Sequence, residues 1–237
     1  MKKFILAFCL CISVLGGGCM NPAERMINQE KEALKYLNEK YGREFKAKTY
    51  EVADYLSDTN RIHCYTEGMD IENEHIEVYV AEKEGENDYR DNYFSYHIRP
   101  QAEEYIRDMV ESEFTEVKVF RNNEYEAFPD ELTGESTLDD LYRVKEDYWM
   151  DLKVYVNGDP AMDAYEYEEK MQRIEQKLLE SNHRYTIYIF VVNEEIYQSM
   201  ERYKQEDFFR FFAQNRNPDG EKFYYAYKST IMNGKVM

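Results

Sequence analysis

The residues of this chain best suited to metal chemistry are three histidines on predicted β-strands. His63, His75 and His97 each fall on a separate predicted strand, so a folded sheet could bring them together. Zinc sites combine histidine, cysteine and carboxylate ligands at characteristic spacings. No two histidines of this chain stand three or four residues apart, and strand histidines more often face solvent or are satisfied in a core. We therefore predict no metal ligands and no cofactor.

A second group of candidate ligands is the acidic segment at residues 84–92, which includes Glu84, Glu86, Asp88 and Asp91. Calcium prefers such hard oxygen ligands and takes six to eight of them. The spacing does not match an EF-hand loop, and solvated charge in a turn is the alternative. The sequence leaves calcium binding by this segment open.

No catalytic motif accompanies these residues. The chain has no GxSxG, no HExxH, no glycine-rich phosphate loop and no paired metal cysteines. With 48 acidic residues, some close carboxylate pair is inevitable, so such a pair does not indicate a glycosidase. We predict no catalytic residues and expect a noncatalytic binding or interaction module. A cell-envelope hydrolase and a peptidase-inhibitor-like protein are the alternatives.

The cysteine with the clearest predicted chemistry is Cys19, at the end of a bacterial lipoprotein signal. Lys2 and Lys3 form a positively charged n-region, Phe4–Leu15 is uncharged, and three glycines precede Cys19. The uncharged stretch is shorter than the roughly 20 residues that a membrane-spanning helix needs. We predict that residues 1–18 are removed and that Cys19 carries lipid. An ordinary secretory signal and a buried strand are the alternatives.

The charge of the mature chain limits its partners. Once residues 1–18 are removed, 28 basic side chains remain against 48 acidic ones, a formal charge of −20. This charge repels nucleic acid and anionic lipid headgroups, so attachment to the membrane should depend on the lipid at Cys19. The 23 tyrosines suit recognition of an envelope protein, peptide or glycan, although they also suit a core. Cys64, the other cysteine left, is predicted to be a buried strand residue.

The first half of the mature chain is predicted to be a helix followed by an antiparallel strand meander. Asn21-Pro22 has the form of an N-cap and first helical residue, and Gly42 that of a C-cap. Ile27, Leu37 and other apolar residues then form one helical stripe. The predicted strands are Glu44–Val52, Arg61–Glu67, Glu74–Lys83 and Asn92–Ile98. Pro100 should begin a second helix, with a hairpin of Val117–Phe120 and Tyr125–Phe128 after it.

The second half is predicted to form a βαβαβ-like lobe, which makes the fold class α+β. Its strands are Asp147–Val156, Tyr185–Val192 and Phe223–Ile231, with helices starting at Asp159-Pro160 and at Asn193. We predict a signal peptide at 1–18, an α+β lobe at 19–128, a linker at 129–146 with a short helix over Leu138–Tyr142, and a second α+β lobe at 147–237.

Two segments carry a family resemblance. The stretch YLNEKYGREF, Tyr36 to Phe45, leads from a helix through Tyr-Gly into a strand, and DYRDNYFSY covers Asp88 to Tyr96. Both resemble segments of small uncharacterised lipoproteins of Gram-positive, Firmicutes-type bacteria. The resemblance covers about the first 80 mature residues. It implies a lipid-anchored protein on the extracytoplasmic side of the membrane and transfers no catalytic residue.

Overall fold

The computed structural model describes residues 21–53, 59–83, 85–121, 126–181, 183–204, 223–232 and 235–236. Within these ranges the chain has the predicted α+β class, with five α-helices and two sheets of four and five strands. The predicted signal peptide and Cys19 lie outside the described residues.

The first helix, α1 (Pro22–Tyr41), begins and ends where the sequence predicts. The Asn21 side chain accepts a hydrogen bond from the Ala23 amide at 3.1 Å, so it caps the helix start. Gly42 ends the helix with φ at 65°, in the left-handed region that glycine adopts without a steric cost. The face of α1 that carries Leu37 is buried, but Ile27, predicted on the same stripe, is 67% exposed.

The first sheet is the predicted antiparallel meander, in which each strand pairs with the one before it. Its strands are β1 (Phe45–Glu51), β2 (Asn60–Thr66), β3 (Ile76–Lys83) and β4 (Glu86–Asp91). One face packs against the helices through residues such as Ile62, Cys64 and Val78. Successive residues of a strand point to opposite sides of the sheet, so the residues between these apolar ones lie on the other face. The side chains of that face are mainly polar.

The fourth strand and the second helix differ from the prediction. The predicted strand Asn92–Ile98 is wrong, because this segment starts the helix α2 (Tyr93–Glu111), and Pro100 lies inside that helix. Almost every residue at the start of α2 is buried, so this part of the helix has no polar face that would reveal a helical period in the sequence. A short apolar run of this kind does not distinguish a buried helix from a buried strand.

The second sheet has the strand order β5-β6-β7-β8-β9. The strands are β5 (Val117–Arg121), β6 (Met150–Asn157), β7 (Tyr185–Val192), β8 (Phe223–Met232) and β9 (Lys235–Val236). The pair β6–β7 is parallel and the other neighbours are antiparallel. The helix α4 (Ala164–Glu180) connects β6 to β7, and α5 (Glu194–Ser199) follows β7, so the βαβαβ prediction is confirmed. The helix α4 starts four residues after the predicted Pro160, because Asp163 forms its N-terminal capping box.

The hairpin predicted around residues 117–128 is wrong. The strand β5 pairs with β6, more than 25 residues further along the chain, and residues 126–128 are not in a strand. The segment predicted as a linker lies between β5 and β6 and contains the expected short helix, α3 (Leu138–Val144). Leu132, Leu138 and Leu141 of this segment belong to the same buried cluster as residues from both sheets.

A polar cluster joins α2 to the second sheet. The Arg121 guanidinium is buried, and it donates to the Ser95 carbonyl at 2.7 Å and to the Tyr148 hydroxyl. The Glu103 carboxylate of α2 accepts from the Arg121 amide at 2.8 Å and from two guanidinium nitrogens of Arg202 at 2.6 and 2.8 Å. These contacts hold α2 against β5, while its first turns pack on the first sheet.

Candidate metal centre

The strand register of the first sheet brings two of the predicted strand histidines together. His63 of β2 is paired directly with Glu77 of β3, so the two side chains lie on the same face. His75 precedes Glu77 by two residues and therefore also lies on this face. It is the outer face of the sheet, opposite the one on which Cys64 is buried. We name His63, His75 and Glu77 the His-His-Glu cluster.

The three side chains of the cluster are close enough to share one ion. The two imidazole rings have their centroids 5.2 Å apart, and His75 Nε2 is 3.4 Å from Glu77 Oε1. One ligand atom from each residue lies within 4.8 Å of the others. In tetrahedral zinc sites with bonds of about 2.1 Å, ligand atoms are about 3.4 Å apart. Small side-chain rotations would therefore bring the cluster to zinc-binding geometry.

Neighbouring groups hold Glu77 in place. The Tyr79 hydroxyl donates to Glu77 Oε2 at 2.6 Å, and the Glu77 amide donates to Asn92 Oδ1 at 2.9 Å. Burial and the contact with Glu77 raise the pKa of Tyr79, so the tyrosine stays a neutral donor. Glu77 is only 8% exposed. Supporting hydrogen bonds of this kind orient the carboxylates that bind metals in proteins.

The backbone next to His75 and a carboxylate next to His63 complete the surroundings. The Tyr96 hydroxyl of α2 donates to the His75 carbonyl at 2.8 Å and fixes the chain just before β3. Glu51, on the edge strand β1, has Oε2 at 3.3 Å from His63 Nε2. Its carboxylate is largely exposed, so it can rotate without disturbing the core. Glu51 is therefore a carboxylate beside the cluster, in contact with one of its histidines.

Two imidazoles and one carboxylate are a donor set for a borderline transition metal. Imidazole suits zinc, copper, iron and nickel, whereas magnesium and calcium prefer oxygen ligands alone. Three protein ligands leave at least one coordination position for water or another small ligand, as in catalytic zinc sites. Structural zinc sites instead have four protein ligands. The cluster can therefore bind a divalent transition-metal ion and present an open position on it.

No metal ligand is predicted from the sequence, but the structure brings two of the three candidate histidines together. It does not bring His97 to them. His97 lies on α2, where its ring contacts Tyr41, Tyr93 and Phe94, and burial lowers its pKa. Glu77 was missed. The signal for it is the spacing of His75 and Glu77, two residues apart on one strand, which puts both side chains on one face.

The remaining histidine and the cysteine of the described residues, His183 and Cys64, are both buried. His183 stacks on Tyr142 with ring centroids 4.4 Å apart, and its Nε2 lies 3.0 Å from Asp139 Oδ1. Cys64 is fully buried, as predicted for a strand residue, and burial raises the pKa of its thiol to about 12. A thiol with such a pKa is a poor nucleophile and a poor metal ligand near neutral pH.

The described part of the acidic segment, residues 85–92, does not form an open loop of ligands. Glu84 lies outside the described residues, and residues 86–91 form β4, which turns alternate side chains to opposite faces. The Asp91 carboxylate is buried and accepts hydrogen bonds from Lys40, Tyr41 and other donors. Nothing in this arrangement of the described residues favours the calcium site that the sequence leaves open.

Many tyrosines are core residues, which is the alternative to a recognition surface that the sequence leaves open. Tyr41 and Tyr93 meet edge to face with centroids 4.7 Å apart, and Tyr148, Tyr167 and Tyr185 are fully buried. Fewer are exposed: Tyr165 and Tyr203 are 66% and 43% exposed. Within the described part of the chain, exposed tyrosines are therefore a minority.

Comparisons with known proteins returned one structural similarity. No protein-family model matches the chain, and no curated protein matches it. The chain is similar to the crystal structure of a DUF5037 family protein from Ruminococcus gnavus ATCC 29149. The two are 12% identical, and the similarity covers 88% of this chain and 94% of that chain with a TM-score of 0.46. Within the described residues, no helix is both long enough and apolar enough to cross a membrane.

Proposed function

We propose that this protein is a lipid-anchored bacterial surface lipoprotein that acts as a noncatalytic binding module for a divalent transition-metal ion. The observation that carries the metal-binding part is the convergence of His63, His75 and Glu77 on one sheet face, with ligand atoms within 4.8 Å of one another. The anchor is Cys19, and the domain lies on the extracytoplasmic side of the membrane. The resemblance to Firmicutes-type lipoproteins supports this location.

The charge of the protein favours capture of a cation. A formal charge of −18 for the whole chain raises the local concentration of cations and speeds their approach. Selectivity then comes from the two imidazoles, because nitrogen ligands discriminate against the more abundant calcium and magnesium. We assign the site to zinc or a metal of similar preference.

An envelope hydrolase is the second candidate function, and the open coordination position favours it. A metal held by two histidines and one glutamate can lower the pKa of bound water to about 7, which generates a nucleophile at neutral pH. Glu51 is the nearest carboxylate to such a water. A peptidase-inhibitor-like role remains an alternative from the sequence, without a contact that favours it.

Zinc titration of the full chain in detergent, followed by calorimetry, tests the binding function. We expect one zinc ion per chain, and a loss of about 10-fold to 100-fold in affinity or more for His63→Ala or His75→Ala. His183→Ala, which removes a histidine on the second lobe, is the matched control and should leave zinc affinity unchanged. Equal zinc binding by the wild type and by the His63→Ala/His75→Ala double variant would show that the cluster is not the site.

Labelling with palmitate tests the anchor. We expect the label to enter the wild-type protein and to be lost in Cys19→Ala, which should also leave the membrane fraction. Cys64→Ala is the control, since that thiol is buried and should carry no lipid. A Cys19→Ala protein that stays in the membrane fraction would contradict the anchoring proposal.

A further inference from the structure

Apolar side chains are exposed at one end of the first sheet, around the start of α1. Pro22 and Met26 of α1 line a shallow groove of about 340 Å³, together with Val52 and Ala53, which follow β1. Val52 is 61% exposed, and Ile27, the next helix residue after Met26, is 67% exposed. Contiguous apolar residues on a surface mark sites of contact with proteins or membranes, whereas isolated ones are common everywhere. We name these five residues the apolar end.

The apolar end lies where the lipid anchor would join the domain. Asn21 caps α1, and in the sequence only Met20 separates it from Cys19. An extended chain spans at most about 3.6 Å per residue, so a lipid at Cys19 holds the start of α1 within about 7 Å of its attachment point. The bilayer is therefore the partner that this tether brings to the apolar end in every anchored copy of the protein.

The charges around the apolar end limit how deeply it can enter a bilayer. Arg25 and Glu82 are the charged residues that line the groove, and they form an ion pair with each other, so the groove has no net charge. Glu24, in the first turn of α1, is exposed. A carboxylate is costly in the hydrocarbon core of a membrane. The contact is therefore restricted to the interfacial region, where apolar side chains can be buried while nearby charges stay hydrated.

We propose that the apolar end is the surface through which the domain contacts the lipid bilayer, with Met26, Ile27 and Val52 in the interfacial region. This inference rests on the proposed lipid anchor at Cys19. The anchor supplies the attachment, and the apolar contact sets the orientation of the domain on the membrane. The contact also accounts for Ile27, which the sequence places on the apolar stripe of α1 but which no other part of the described chain covers.

This orientation places the His-His-Glu cluster away from the membrane. Glu82, at the groove, and Glu77, in the cluster, lie on the same strand β3 and are five residues apart. Five residues of a strand span about 16 Å. A bilayer at the apolar end therefore leaves the cluster open to ions from the solution.

Fluorescent labelling of the mature lipidated chain tests the contact. Ile27→Cys and Val52→Cys each place one reactive thiol at the apolar end, because Cys64 is buried and Cys19 carries the lipid. Ile71→Cys is the matched control, since Ile71 is also exposed but lies between β2 and β3, at the opposite end of the meander. Each variant is labelled with bimane and added from detergent to preformed phosphatidylcholine vesicles.

The reference for each position is the same label on a Cys19→Ala protein in buffer without vesicles. At positions 27 and 52, the vesicles should shift the bimane emission to shorter wavelength and reduce its quenching by iodide several-fold, because the label leaves water for the interface. At position 71, emission and quenching should match the reference.

Flotation of the same vesicles separates failure of the anchor from failure of the contact. If the lipidated chain floats with the vesicles but iodide quenches positions 27 and 52 as strongly as position 71, the membrane contact is overturned and the anchor stands. If the chain does not float, the proposed anchor is overturned first, and this inference with it. Protection of positions 27 and 52 in the Cys19→Ala protein without vesicles would show that a second copy of the chain covers the apolar end, which also overturns the inference.

Discussion

Replacing Asp91 by asparagine should be among the most destabilising conservative substitutions around the first sheet. The Asp91 carboxylate, at the end of β4, has no exposed surface. It accepts hydrogen bonds from the hydroxyls of Tyr36 and Tyr41 at 2.9 and 2.8 Å, and from the Lys40 ammonium at 2.9 Å. The Tyr93 amide at the start of α2 donates to it at 2.8 Å. One side chain thus connects α1, β4 and α2.

The expected cost follows from what the substitution leaves behind. The side chain of Lys40 is only 4% exposed, so Asp91→Asn leaves a buried ammonium without its buried counter-charge. Breaking a buried ion pair on one side costs about 3–5 kcal/mol. Domains of this size are stable by about 5–15 kcal/mol, so the loss would be a large part of the total. Burial and the Asp91 charge also raise the pKa of Tyr36 and Tyr41, which therefore remain neutral donors.

Urea unfolding of the full chain in mild detergent, followed by tryptophan fluorescence of Trp149, measures this cost. Asp130→Asn is the matched control, because Asp130 contacts the same lysine at 3.2 Å but its side chain is 64% exposed. An exposed pair contributes at most about 1 kcal/mol. The reasoning is refuted if the two substitutions lower the free energy of unfolding by the same amount.

Two further predictions concern Cys64 and Gly134. Burial raises the pKa of the Cys64 thiol from 9.0 to about 12, so the unfolded chain loses this proton at a lower pH than the folded chain does. The free energy of unfolding should therefore fall between those two pH values, by about 1.4 kcal/mol per pH unit. Urea unfolding at pH 8 and pH 10 measures this fall. If Cys64→Ala loses the same free energy of unfolding between these two pH values as the wild type, the prediction is contradicted. In Gly134→Ala, the new Cβ would lie 2.7 Å from the Tyr41 carbonyl oxygen, which should cost about 1–3 kcal/mol. Thermal melting tests this, and an unchanged melting temperature would contradict it.

Local signals made part of this fold predictable. The caps at Asn21 and Gly42 specify α1 through their own conformations and side-chain chemistry, and both predictions are confirmed. The strand β7 was equally clear, since it is apolar on both faces and buried on both. These features depend on residues within a few positions of one another, so the sequence alone contains them.

The features that could not be predicted from the sequence depend on packing between elements that are distant in sequence. The start of α2 resembled a strand because it is buried from several directions, which depends on elements distant in sequence. The pairing of β5 with β6 joins residues as distant in sequence as Val117 and Val156, with α3 between the two strands. The His-His-Glu cluster depends on the exact β2–β3 register, since a shift by one residue would turn His63 to the other face. The histidines were visible in the sequence, but their convergence was not.

The cluster lies on one hairpin, and this has a consequence for the order of folding during synthesis. Each strand of the first sheet pairs with its immediate predecessor, so its contacts close short loops and should form early. The second sheet cannot be completed until β8 has been made, near the end of the chain. The residues of the cluster should therefore come together while the C-terminal half is still being synthesised. A metal ion bound at that stage would stabilise the emerging hairpin before the rest of the domain exists.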